Sequence, residues 1–175
     1  MAEPLRPDAT KTYGRENWVI IPAVADINAI TAVEWNGASA LDVTNILFAS
    51  SGKPAQTTNL VSAARRMGDT KTYQSVGTSD VAGGELRYAF ADQADAGEDG
   101  KKLFEMLPEG TTAVLAQRKG VAKATAAATG QFYNAHPVQF GPSFPDDEGD
   151  SESAESAMVC TFAITGPSAI NKALA

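Results

Sequence analysis

The segment ELRYAFADQ alternates large apolar side chains with polar or small ones: Leu86, Tyr88 and Phe90 fall on one face, Arg87, Ala89 and Ala91 on the other. A period of two is the pattern of a strand with one buried face. The pattern recurs. AMVCTFAIT turns Met158, Cys160, Phe162 and Ile164 inward and Thr161 and Thr165 outward. TTAVLAQRKG, GQFYNAHPVQFG, WVIIPAV, DVTNILFA and TKTYQSVG are rich in β-branched and aromatic residues and are separated by Gly, Pro, Asp or Ser. Seven such segments predict a mostly β protein, a β-sandwich or a small β-barrel.

Two short helices interrupt the strands. GEDGKKLFEMLPEG predicts a helix over about 98–107, with Leu103, Phe104 and Leu107 on one face, Glu98 and Asp99 at its start, and Pro108 and Gly110 as its stop. TAVEWNG predicts a second over 31–36, with Thr31 and Glu34 spaced as a capping box and Gly37 as terminator. NLVSAARRM has helical spacing at Leu60, Ala63, Ala64 and Met67, but Val61 also suits an extended chain, and it is read as a strand. KGVAKATAAATGQF reads as a long hairpin connection or an exposed strand extension. Gly83 and Gly84 read as a turn, because no Walker Lys-Ser/Thr follows and the segment leads into a strand.

A chain of 175 residues suits one domain with a sizeable core. That domain is expected over 17–168, with a polar, proline-bearing arm at 1–16 and a C-terminal extension at 169–175. A single cysteine excludes an internal disulfide, and no Cys/His cluster has zinc-like spacing. No apolar stretch approaches the ~20 residues of a bilayer span, so no membrane insertion is expected.

Hydroxyl or thiol nucleophiles usually need a base, most often His. Only His136 is present, in one expected strand, and Cys160 lies on the apolar face of another. A partly buried His and a core Cys are the expected roles, so no catalytic residue and no cofactor are assigned. Arg65 and Arg66 read as a solvated or interfacial pair.

The acidity is local. The formal charge is -7, and the run at 146–155 holds Asp146, Asp147, Glu148, Asp150, Glu152 and Glu155; without these six, fifteen acidic residues face fourteen basic ones. As a calcium loop begun at Asp146, the run puts Ser151 at the glycine position and Ala157 at the closing glutamate position, so no metal site is assigned. A solvated loop and a purposeful negative surface remain.

In order along the chain, WVIIPAVADINAITAVEWNG, ARRMGDTKTYQSVG, GGELRYAFADQADAGEDGKKLFEMLPEGTTAVLAQRKG and HPVQFGPSFPDDEGDSESAESAMVCTFAITG resemble the major tail (tail-tube) proteins of long-tailed, siphovirus-type phages of actinobacteria. The resemblance covers about 15–168. It implies a β-sandwich or small β-barrel subunit with one flanking helix, no enzymatic activity, and hexameric rings stacked into a tail tube through which double-stranded DNA passes. It further implies a tape-measure protein, tail terminator and tail-tip proteins as partners, and a place in the virion tail after synthesis and assembly in the host cytoplasm. The acidic cluster is expected to face the lumen or bridge rings, and the arm to make inter-subunit or inter-ring contacts. A tail terminator or head-tail joining ring, and a monomeric ligand-binding β-barrel, are the alternatives.

Overall fold

The computed structural model describes residues 14–91, 93, 98–146 and 155–175. Along these the elements are β1 (Glu16–Ile21), α1 (Ala32–Trp35), β2 (Leu41–Asp42), β3 (Ala55–Ser62), β4 (Gln74–Ala82), β5 (Gly84–Ala89), α2 (Asp99–Met106), β6 (Thr112–Lys119), β7 (Phe132–Pro145), β8 (Ala157–Ile164) and β9 (Ala169–Ala173). Seven strands form one antiparallel sheet in the order β2-β1-β6-β7-β8-β5, with β9 joined to β7. The sheet curls into a half-barrel. β3 and β4 pair only with each other.

The unbroken apolar runs WVII and AVLA follow from burial on both faces of the central strands. Ile20 and Leu115 point into the half-barrel with Leu86, Tyr88, Val138, Phe140 and Phe162, where Leu103 and Leu107 from α2 and its end close the core. Val19, Ile21, Val114 and Ala116 point the other way and pack with Ile30, Trp35, Tyr133 and Leu174. Tyr133 ties this outer layer down: its hydroxyl accepts from Ile30 N at 3.0 Å and donates to Ile27 O at 2.8 Å. The capping box of α1 forms as its spacing predicts, with Thr31 Oγ1 accepting from Glu34 N at 3.1 Å and Glu34 Oε2 accepting from Thr31 N at 2.8 Å.

Arg118, only 2% exposed, holds the Ala/Thr-rich connection between β6 and β7. Its guanidinium donates to the carbonyls of Thr125 and Ala126 and to the Gln131 side chain. Burial lowers its pKa, and the charge of Asp42 opposes that shift.

Several expectations differ from the fold. DVTNILFA is not a strand beyond Asp42. The Asp42 carboxylate accepts from Thr44 N at 2.9 Å, an Asx turn that starts a helical loop, with Leu47 N donating to Val43 O at 3.0 Å. The segment after it covers the outer edge of β5 instead, through Ala89 N to Ile46 O (2.8 Å) and Phe48 N to Arg87 O (2.9 Å). The strand expected at TKTYQSVG begins only at Gln74 and runs on to Ala82, and the strand reading of NLVSAARRM holds only to Ser62. Gly83 and Gly84 do not reverse the chain; they link β4 directly to β5. Phe104 leaves the buried face of α2 and lies against Phe90, ring centroids 5.5 Å apart, while 40% exposed. Residues 169–175, set outside the domain by sequence, carry β9, and Leu174 is buried. Of the arm expected at 1–16, residues 1–13 lie outside the described residues and Glu16 opens β1.

Hydrogen bonds from Ala25 N, Thr31 N and the Thr31 hydroxyl hold the Glu34 carboxyl below its ordinary value of 4.5. Its contribution to stability is therefore present above that value and is lost as pH falls through the lowered one. Thr31→Ala is expected to cost about 1 kcal/mol in urea denaturation at neutral pH. Glu34→Gln should flatten the loss of stability expected of the natural protein as pH falls below 4.5, read by urea denaturation against pH.

Candidate assembly surface

The hairpin β3–β4 lies outside both core clusters. Every residue of β3 is exposed, and every residue of β4 except Gly77 is exposed. The ladder runs from Ala55↔Ala82 to Ser62↔Gln74, and between Thr58↔Ser79 and Leu60↔Val76 β4 carries one extra residue. Gly77 sits in that bulge, where a Cβ would come 2.7 Å from a Val61 methyl. Leu60 and Val76 face each other across the strands, yet they remain 62% and 74% exposed.

Exposed strand edges are normally blunted by Lys, Pro or a covering segment. β3 and β4 contain no proline and one charge, Asp80. Among the described residues nothing pairs with the outer edge of either strand. A two-stranded hairpin without a packed face is marginal in water. Its composition suits a surface that is covered by another chain.

The root of the hairpin is rigid. A Cβ on Gly83 would stand 1.9 Å from Phe162 O, a backbone atom, so only glycine lets the strand cross there. From Gly84↔Phe162 to Ala89↔Ala157 the same strand is paired with β8 as β5. On the other side of β8, β7 continues from Gly141 to Pro145 past the end of β6, whose register stops at Thr112↔Gln139. This third edge presents an exposed Phe144 and two prolines, Pro142 and Pro145, that lack a donor.

The acidic cluster is described at its two ends. Asp146 is exposed, pairs with the guanidinium of Arg87, and donates its backbone N–H to Ala157 O at 2.8 Å. Glu155 is exposed. Asp147, Glu148, Asp150 and Glu152 lie outside the described residues, and no group of three metal-ligating side chains occurs among those described. Arg65 and Arg66 lie in the turn between β3 and β4, both exposed.

His136 and Cys160 are not brought together. His136 stands opposite Leu115, with Nδ1 2.8 Å from Ser168 Oγ, and Cys160 stands opposite Leu86 and Ser143. Burial pushes the His136 pKa down and the Cys160 thiol up, as expected of groups used for packing.

A cleft of about 620 Å³ opens between β1, the 44–53 segment and β5, lined by Trp18, Leu47, Phe48 and Leu86 with Glu16 and Lys53 at its rim. Burial raises the Glu16 pKa, but hydrogen bonds from Trp18 and Gln117 and the charge of Lys53 outweigh it, leaving the carboxyl below its ordinary value. It stays ionised at neutral pH, and no His or Cys lines the cleft.

Sequence reasoning missed the hairpin as a functional element. AQTTNLVS and QSVGTSDVA lack the apolar face on which strand assignment relied. The available signal was the pair of segments rich in Thr, Ser, Val and Gln with Asp80 as their one charge. Because Ala55 and Ala82 are register partners, residues 55–82 can be replaced by a short Gly/Ser linker across a gap of about 5 Å. The shortened protein is expected to melt cooperatively within a few degrees of the natural one. Loss of the transition would make the hairpin part of the core.

The chain of a solved assembly, the cryo-EM structure of the anti-feeding prophage (AFP) baseplate, 6-fold symmetrised, is similar over 95% of both chains at 7% identity, with a TM-score of 0.49. No curated protein matches the sequence. The profile of the family described as phage tail tube protein matches residues 4–175. That match covers nearly the whole chain, and the chain belongs to the phage tail tube protein family, a structural and non-enzymatic component of the virion tail.

Proposed function

We propose that the protein forms hexameric rings that stack into the tail tube of a siphovirus-type phage of an actinobacterial host, the conduit for DNA at ejection. The observation that carries the reading is the hairpin, whose two outer edges and two faces no described residue covers. Closing a ring of copies edge to edge pairs such strands without any further chain, as barrel closure does within one molecule. The β7 edge at Gly141–Pro145 is a natural partner for a neighbour's hairpin, because its side away from β8 too has no described strand.

Charge supports the conduit role. Six copies at -7 carry -42 per ring. A net negative wall repels phosphates, whereas a basic one would bind them through counterion release. A tape-measure protein fills the lumen during assembly in the host cytoplasm, and tail terminator and tail-tip proteins cap the two ends.

Electron microscopy of the purified full chain tests this reading. Six-fold rings and tubes are the expected result, and in virions the protein should be among the most abundant bands. Monomers under every assembly condition, or a few copies per virion, would contradict it; the latter is the signature of a terminator or joining ring.

A further inference from the structure

The strand pass that links the hairpin to the seven-stranded sheet has two ends of opposite charge. β4 and β5 make one pass from Gln74 to Ala89, broken only at Gly83. At about 3.3 Å per residue the pass spans up to about 50 Å. At the start of this pass Ser62↔Gln74 closes on the hairpin turn. At its finish Ala89↔Ala157 meets the ends of β7 and β8, where Asp146 N bonds Ala157 O at 2.8 Å and Phe90 N bonds Ser156 O at 3.1 Å.

The hairpin turn is basic. Between Ala63 and Tyr73 it carries Arg65, Arg66 and Lys71 against the single acid Asp69, a net of +2. Asp69 is occupied within the turn, accepting from Arg66 N at 2.9 Å. The three cationic side chains are exposed and have no carboxylate within ion-pair distance among the described residues. The opposite end is acidic. Glu98 and Asp99 open α2 beside the end of β5, where a Cβ on Gly100 would lie 2.2 Å from Ala89 O, and Asp146 and Glu155 flank the β7–β8 connection, all four exposed. Asp146 is neutralised by Arg87 and Asp99 by Lys102 at 3.0 Å, which leaves Glu98 and Glu155 with no ion pair among the described residues.

We propose that the basic turn of one copy (Arg65, Arg66, Lys71) seats on the carboxylate-bearing end of a second copy in the next ring. The inference rests on the tube reading and adds to it the residues of the stacking contact. An attraction between unlike ends, together with repulsion between like ends, selects one stacking direction. A single exposed pair is weak, but six contacts close at once when two rings meet, and the effect multiplies. The Debye length of about 8 Å at physiological salt confines the attraction to contact range, so stacking should weaken as salt rises.

The test uses the full chain with R65E/R66E/K71E. Its melting curve should match that of the natural protein, because all three side chains are exposed. Rings should still form, while tube length at physiological salt falls by about tenfold or more, reflecting the loss of multivalent contacts. Adding Glu98→Lys and Glu155→Lys to the same chain should restore tubes. Tubes of natural length and natural salt dependence in R65E/R66E/K71E would overturn the inference and leave the tube reading intact. Loss of rings as well as stacking, or no recovery in the doubly reversed chain, would also overturn it. If the natural protein forms neither rings nor tubes, the tube reading fails and this inference with it.

Discussion

The backbone of β3 and β4 sets the terms for the rest of the molecule. Each strand spends one side of its N–H and C=O groups on the other, and the second side has no described partner. Backbone polar groups are obligatory hydrogen-bonding groups, and a ribbon that is polar on both faces has no apolar stripe with which to fold onto its own core. Leu60, Val61, Val76 and Val81 are too few and too divided between faces to supply one. On the proposed assembly the hairpin takes its order from a neighbouring copy, and the body presents it.

The body does so by pinning the root at two close backbone approaches. Gly83 lets β4 pass within contact of Phe162 O, and Gly52, where a Cβ would lie 2.9 Å from Glu85 N, brings the other root segment against β5. Ser51 Oγ closes the join, accepting from Arg87 N at 3.1 Å and donating to Arg87 O at 2.8 Å. Behind these lies the two-faced core of β1, β6 and β7, with α2 closing the half-barrel and the C-terminal residues closing the outer layer. Ala175 shares in this, donating to Ile30 O and accepting from Ala32 N, both at 3.0 Å. A stiff root gives a long hairpin a fixed direction, which repeated assembly requires.

The core was legible in the sequence because its cause is local. Leu86 and Tyr88, or Met158, Cys160 and Phe162, alternate since one side of their strand meets the core, and the Thr31–Glu34 spacing reports its own cap. The family resemblance, carried by the order of such segments, pointed to tail-tube proteins before any contact was known. The hairpin was not legible, since alternation reports burial within one chain and both faces of β3 and β4 are exposed in it. DVTNILFA misled for the converse reason: Ile46 and Leu47 are apolar because they pack on the core from a loop, and the Asx turn at Asp42 decides the backbone. β9 escaped because Ile170 and Lys172 are exposed and only Ala169 of the strand is buried. The acidic run was legible as charge, but the end of the sheet at which Asp146 and Glu155 lie follows only from the register of β5, β7 and β8.

Amide hydrogen exchange on dispersed subunits and on the assembled protein tests the central claim most directly. The amides of residues 55–62 and 74–82 should exchange rapidly in the free subunit, while Ile20, Leu115 and Val138 are protected. On assembly, protection of the hairpin amides should rise by about 100-fold or more, as expected when a marginal ladder joins a closed sheet. Hairpin amides already protected in the free subunit, or unchanged by assembly, would contradict the account.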